Sequence, residues 1–118
     1  MSVFIGDAQP YTIKQNTIMI HHSVIFTFKS SIDSSTMQAF FMAAKKLSAI
    51  PGVENFETLR QVSKKNKYAY GLSMQFANEE LYQQYNNHPV HVQFIKEHWL
   101  LCIDDFLEID YKSMEEFL

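Results

Sequence analysis

The feature that most constrains this chain is a strict alternation from Ile18 to Lys29. Ile18, Ile20, His22, Val24, Phe26 and Phe28 share one face, and Met19, His21, Ser23, Ile25, Thr27 and Lys29 share the other. A period of two, rich in β-branched and aromatic residues, is a strand with one very apolar face, and that face must be buried against another layer. Two shorter stretches repeat the pattern. Tyr68, Tyr70, Leu72, Met74 and Phe76 alternate with Ala69, Gly71, Ser73 and Gln75, and Phe106 to Tyr111 alternates near the end. Val53 to Val62 is a weaker strand. The turn Ser63-Lys64-Lys65-Asn66 joins it to the Tyr68–Phe76 run as an antiparallel hairpin.

Helical periodicity fills the gaps. Met37, Phe40, Phe41, Ala44, Leu47 and Ile50 recur at three- and four-residue steps, until Pro51-Gly52 ends the pattern. Ser35 with Gln38 predicts a capping box at the start of that helix. Asn78, followed by Glu79 and Glu80, predicts a second helix carrying Leu81, Tyr82 and Tyr85. Pro89 interrupts it and begins a further piece as its first residue, with His88 as N-cap, and Val90, Phe94, Ile95 and Trp99 continue. The order strand, helix, strand, strand, broken helix, strand predicts an α+β fold. It is a ferredoxin-like βαββαβ sandwich, a four-stranded antiparallel sheet with helices on one face.

The predicted domain spans residues 18–112. Residues 1–17 read as an N-terminal extension, an added strand or arm, and residues 113–118 as a C-terminal tail. The second sheet face, with Met19, His21, Ile25 and Thr27 on its first strand, is left bare. A second copy covering it predicts a homodimer.

Composition narrows the function classes. The chain has 118 residues, 47% of them apolar and 14% aromatic, which gives one folded domain and excludes disorder. A net charge of −3 argues against nucleic acid as the main partner. No apolar run approaches the ~20 residues that span a bilayer, so no membrane partner is expected. Met1 to Asn16 lacks the basic and apolar regions of a secretory signal. The one cysteine, Cys102, excludes an internal disulfide and a Cys-based zinc site, and fits a reducing, cytoplasmic setting.

The densest chemistry is Tyr85-Asn86-Asn87-His88-Pro89-Val90-His91, at the joint between the two helical pieces. The positive end of the second piece disfavours an imidazolium, so His91 is expected to be neutral and usable as a general base, with Tyr85 one turn away. The same run also reads as a capped helix joint with no chemistry. His22 is the one polar residue of its stripe. It is either a satisfied core histidine or a residue at a pocket rim. His88 and His91, with His22 or Asp110 as a third ligand, are compatible with a metal ion, but the spacing is unspecific and none is expected.

On these residues the chain resembles the Dabb family of stress-responsive α/β-barrel domains, from about Met19 to Tyr111. The matching segments are His22-Ser23-Val24-Ile25-Phe26-Thr27-Phe28-Lys29, Ile50-Pro51-Gly52-Val53, the Tyr85–His91 run, and Glu108-Ile109-Asp110-Tyr111. The resemblance implies a dimeric α+β barrel of two ferredoxin-like protomers, each with a pocket between sheet and helices. Members include stress-associated proteins and a polyketide cyclase that closes an aromatic ring by an aldol-type step. Its acting Tyr and His match Tyr85 and His91, and its pocket-lining first-strand His matches His22. The implied pocket takes a small apolar or aromatic ligand, without a cofactor. Val24, Phe26, Phe40, Phe41 and Phe94 would be its apolar wall, with His22, His88 and Asp110 also against the ligand. Two departures stand out. Glu108 falls where the cyclase has an apolar residue, and the segment between His91 and Asp110 is about one residue longer. The competing expectations are a non-catalytic, stress-related dimer, and a monooxygenase or haem-degrading barrel using His91 or His98 and Trp99.

Overall fold

The computed structural model of the protein describes residues 19–114, so the extension read over residues 1–17 and the last four residues of the tail lie outside the described residues. Strand β1 (Ile20–Phe28) is followed by helix α1 (Ser34–Lys45), which tightens into a 3₁₀ turn over Lys46–Ala49. The hairpin β2 (Glu54–Arg60) and β3 (Tyr70–Phe76) comes next. Helix α2 (Glu79–Asn87), helix α3 (Pro89–Phe94), a π-helical turn (Ile95–Trp99) and the short α4 (Leu100–Cys102) then lead into β4 (Ile103–Lys112). The sheet is antiparallel throughout, in the order β2-β3-β1-β4. This is the ferredoxin-like architecture expected from the sequence. No described helix is long and apolar enough to cross a membrane.

The alternation of β1 sorts its residues between two environments. Ile20, His22, Val24 and Phe26 are buried beneath the helices, whereas the residues between them are only partly covered. On either side β1 pairs with β3 (Ile20↔Phe76, Val24↔Leu72) and β4 (His22↔Asp110, Val24↔Glu108, Phe26↔Phe106). Side chains directly across a ladder share a face, so Asp110, Glu108 and Phe106 join the helix side of the sheet. The opposite face carries Ile25, Leu59, Leu107, Ile109 and Tyr111, with Leu59, Leu107 and Tyr111 exposed.

The centre of the core is aromatic. Phe26 and Phe40 are fully buried, and Phe26 has Phe28, Phe40, Phe41, Tyr70 and Trp99 within 5.2–6.2 Å, centroid to centroid. Such tilted and edge-to-face pairs add to the area they bury.

Local chemistry explains the element ends, with one correction. The N-cap of α1 is Asp33, not Ser35: the Asp33 carboxylate accepts from the Thr36 amide at 2.8 Å, and the Ser35 hydroxyl donates to Asp33 at 3.1 Å. Aspartate offers a charged acceptor one turn before the first apolar position, and this acceptor wins the competition. Asn78 caps α2 and His88 caps α3 with Pro89 as the first residue, as the sequence indicates. Gly52 sits at φ +95°, where an L side chain is strained, and an added Cβ would lie 3.2 Å from Leu81. A register shift lets β2 begin at Glu54, with Asn55 taking the left-handed conformation.

Truncating the central ring tests this picture. Phe26→Ala is expected to lower unfolding free energy by about 3–5 kcal/mol, measured by denaturant titration.

Candidate functional site

Beneath the helices, the sheet leaves a cavity of about 400 Å³. The strands contribute His22, Val24, Leu72, Met74, Phe106 and Glu108, and the helical side contributes Tyr85, Asn86, His91, Phe94, Ile95 and Trp99, among others. The π-helical turn shapes the second wall. In an α-helix residues four apart share a face, but here the lining pairs Phe94/Trp99 and Ile95/Leu100 are five apart. A π turn is how a helix accommodates one extra residue, and it falls in the segment between His91 and Asp110 that the resemblance makes about one residue longer. His98, four residues after Phe94, is not in the lining and stacks on Phe94 at 5.8 Å.

The polar groups of the cavity belong to two systems. In the first, His91 Nδ1 lies 3.1 Å from the Asn86 carbonyl oxygen. A carbonyl only accepts, so Nδ1 carries the proton and Nε2 the lone pair of the neutral ring. Burial pushes the His91 pKa below the usual imidazole value and His22 adds to this, against the opposing Asn86 hydrogen bond and Glu108 charge. The Tyr85 ring lies 4.5 Å from that of His91. Tyr85 is only 2% exposed, and its hydroxyl has no hydrogen-bond partner among the described residues. Burial, and then the Glu108 charge, push its phenol well above the ordinary tyrosine value, so Tyr85 stays a proton-bearing group at neutral pH.

The second system ties β1 to β4. His22 Nδ1 lies 2.7 Å from Asp110 Oδ1. An ionised carboxylate only accepts, so in the neutral ring His22 also carries its proton on Nδ1 and leaves Nε2 free. The Tyr82 hydroxyl donates to Asp110 Oδ2 at 2.9 Å, with His22 Nδ1 at 2.9 Å and Glu108 Oε2 at 3.3 Å. Burial, followed by the Asp110 and Glu108 carboxylates, raises the Tyr82 phenol far above its ordinary range. His22, Glu108 and Asp110 have donor atoms within 4.8 Å of one another, which makes them the candidate metal ligands among the described residues. The His88/His91 combination weighed from the sequence forms no such cluster among the described residues, and His88 Nδ1 accepts from the Val90 amide at the helix joint.

With the fold and the cavity in place, the comparisons bear on descent. The sequence model of the stress responsive A/B barrel domain, Dabb, matches residues 20–113. The chain belongs to the Dabb family. A Dabb family protein of ferredoxin-like fold from Mesorhizobium loti is 47% identical, covering 82% of this chain and 98% of that one, with a TM-score of 0.78. The hydroxynitrile lyase of Passiflora edulis is 14% identical over 84% of this chain and 96% of its own, with a TM-score of 0.75. A dimeric ferredoxin-like protein from Thermobifida fusca is 17% identical over 81% and 92%, with a TM-score of 0.71. The last two similarities concern the fold alone. Curated proteins show no significant match.

Within this Dabb domain, Tyr85, His91, His22, Val24 and Phe94 line one cavity. Phe26, Phe40 and Phe41, expected in its apolar wall, pack instead around Phe28 and Tyr70 in the core. Leu72, Met74, Ile95 and Trp99 take the place of those three in the wall. His88 is spent on the cap. Asp110 stands behind His22 rather than in the lining. Tyr82 was missed as a site residue. Its three-residue spacing from Tyr85, which puts both phenols on one helix face, was the available signal.

The lowered pKa of His91 makes a signed prediction. The unfolded chain binds more protons at this position than the folded one at pH values between the folded pKa and about 6.5, so this contribution to stability falls on acidification through that window and is flat below it. His91→Gln, which cannot titrate, is expected to lose less stability than wild type between pH 7 and pH 5, measured by urea unfolding at each pH.

Proposed function

We propose that this Dabb domain acts as a homodimer whose cavity takes up a small apolar or aromatic molecule. There it performs cofactor-free acid–base chemistry of the aldol type, with His91 as base and Tyr85 as donor. The observation that carries the reading is the Tyr85 hydroxyl. A buried hydroxyl without a partner is costly. This one has none among the described residues, and its ring lines a cavity beside an imidazole whose Nδ1 is engaged and whose Nε2 has no hydrogen bond among those residues. Such a pair suits a ligand with a carbonyl oxygen and an acidic C–H next to it. Nε2 takes the proton from carbon, the C–H electron pair moves into the enolate, and the phenol donates a hydrogen bond to the developing oxyanion. The enolate carbon then forms the new C–C bond at a second carbonyl, and the proton held on His91 passes to the alkoxide. The hydroxynitrile lyase shares the fold at 14% identity, and the proposal stands on the residues of this cavity.

Exchange of the protons next to the carbonyl of phenylacetone in D₂O, followed by NMR, tests the first step. Wild type is expected to accelerate exchange over buffer. His91→Ala should slow it by about 100-fold or more and Tyr85→Phe by about 10-fold or more, with folding unchanged by circular dichroism. A wild-type rate equal to that of His91→Ala overturns the assignment.

Self-association is supported by the exposed Leu59, Leu107 and Tyr111 on the face away from the helices, and by the dimeric Thermobifida fusca relative. A cytoplasmic setting is part of the same proposal, and the buried, unpaired Cys102 is consistent with it. Light scattering is expected to give twice the chain mass of 13.8 kDa, and Leu107→Lys to shift the population to monomer.

A further inference from the structure

We infer that Glu108 sets the ligand class of this cavity, admitting neutral or cationic molecules that present O–H and N–H donors and rejecting carboxylates. The inference rests on the cavity reading given above.

Glu108 lies opposite Val24 on the edge strand β4, on the helix side of the sheet, with its side chain 50% exposed. Among the described residues it is the one Asp, Glu, Lys or Arg side chain in the cavity lining, with no lysine or arginine there to balance it. Asp110, two residues along the same strand face, adds a second carboxylate just behind the wall. The close hydrogen bond from His22 goes to Asp110, 2.7 Å away, whereas Glu108 Oε2 is 3.6 Å from the same nitrogen. Glu108 receives only a long contact from the Tyr82 hydroxyl, whose shorter one goes to Asp110.

The hydrogen-bonding sense of the wall points the same way. Glu108 accepts through its carboxylate, the neutral ring of His91 accepts through Nε2, and the ring of His22, when neutral, does the same, because Nδ1 is the protonated nitrogen in each. Tyr85 supplies a donor. Acceptors therefore predominate among the titratable groups around the cavity. A ligand that satisfies them brings hydroxyl or amine hydrogens, plus a carbonyl oxygen for Tyr85. A carboxylate would set acceptor against acceptor and negative charge against negative charge. Its desolvation among Leu72, Met74, Phe94 and Trp99 would go uncompensated.

Three probes with one ring and different charge separate the possibilities: 3-hydroxybenzylamine, 3-hydroxybenzyl alcohol and 3-hydroxybenzoate. Each is titrated into the full chain at pH 7.5 and read by the emission of Trp99, the single tryptophan, which lines the cavity. The alcohol and the amine are expected to bind at least 10-fold more tightly than the benzoate. Glu108→Gln, isosteric and uncharged, is expected to bring the benzoate within threefold of the alcohol, with the circular dichroism spectrum unchanged. Equal binding of benzoate and alcohol to wild type overturns the inference, as does a gap that Glu108→Gln leaves intact. Either result leaves the cavity reading standing. If none of the three probes changes the emission, both fall.

Discussion

A buried imidazole on a central strand must have a partner, and the arrangement of the site follows from meeting that need at His22. Left alone in an apolar stripe, its N–H would carry the full cost of lost hydration. The partner comes from the neighbouring strand, where the register brings Asp110 directly opposite. The Tyr82 hydroxyl then closes the network from the helix layer. One hydrogen-bonded cluster thereby joins β1, β4 and α2, the three elements that carry His22, Glu108 and Tyr85. Packing alone would tolerate small slides between these layers, whereas bonds of 2.7–2.9 Å do not.

The two histidines of the cavity are held by different means toward a similar end. Each has its Nδ1 engaged by an oxygen acceptor, a carboxylate for His22 and a main-chain carbonyl for His91, and each keeps Nε2 unprotonated in the neutral ring. The environments then separate them. His91 is driven toward the neutral form by burial, while His22 has the Asp110 carboxylate 2.7 Å from its Nδ1. Between them Tyr85, 6.2 Å from one ring and 4.5 Å from the other, is kept as a phenol by the burial and nearby negative charge that disfavour phenolate. The division of labour between acceptor and donor is thus set by surroundings, not by residue type alone.

Much of this was legible in the sequence, for reasons of period and stereochemistry. Period two on β1 identified the buried stripe and singled out His22, and Pro89 after His88 marked the joint that turns His91 toward the sheet. Glu108 and Asp110, two apart on one strand, had to share a face. What sequence does not carry is the cross-strand register and the depth at which each aromatic sits. Phe26, Phe40 and Phe41 have the right chemistry for a pocket wall, yet they meet one another first and fill their own space. Asp33 displaced Ser35 as the cap because both belong to a polar cluster in which each residue can serve. The π turn was invisible as such: its apolar residues fit helical periodicity closely enough to pass for a regular continuation.

That same widened turn has a consequence for how such a domain can diversify. A regularly paired strand cannot gain or lose one residue without turning its inside out. A helix can, by bulging, and here the bulge falls in the segment that carries Phe94, Ile95, Trp99 and Leu100. Single-codon insertions and deletions in this segment can re-aim a whole row of side chains at the cavity while the sheet beneath stays put. The architecture keeps the floor of its cavity constant and leaves the ceiling open to revision.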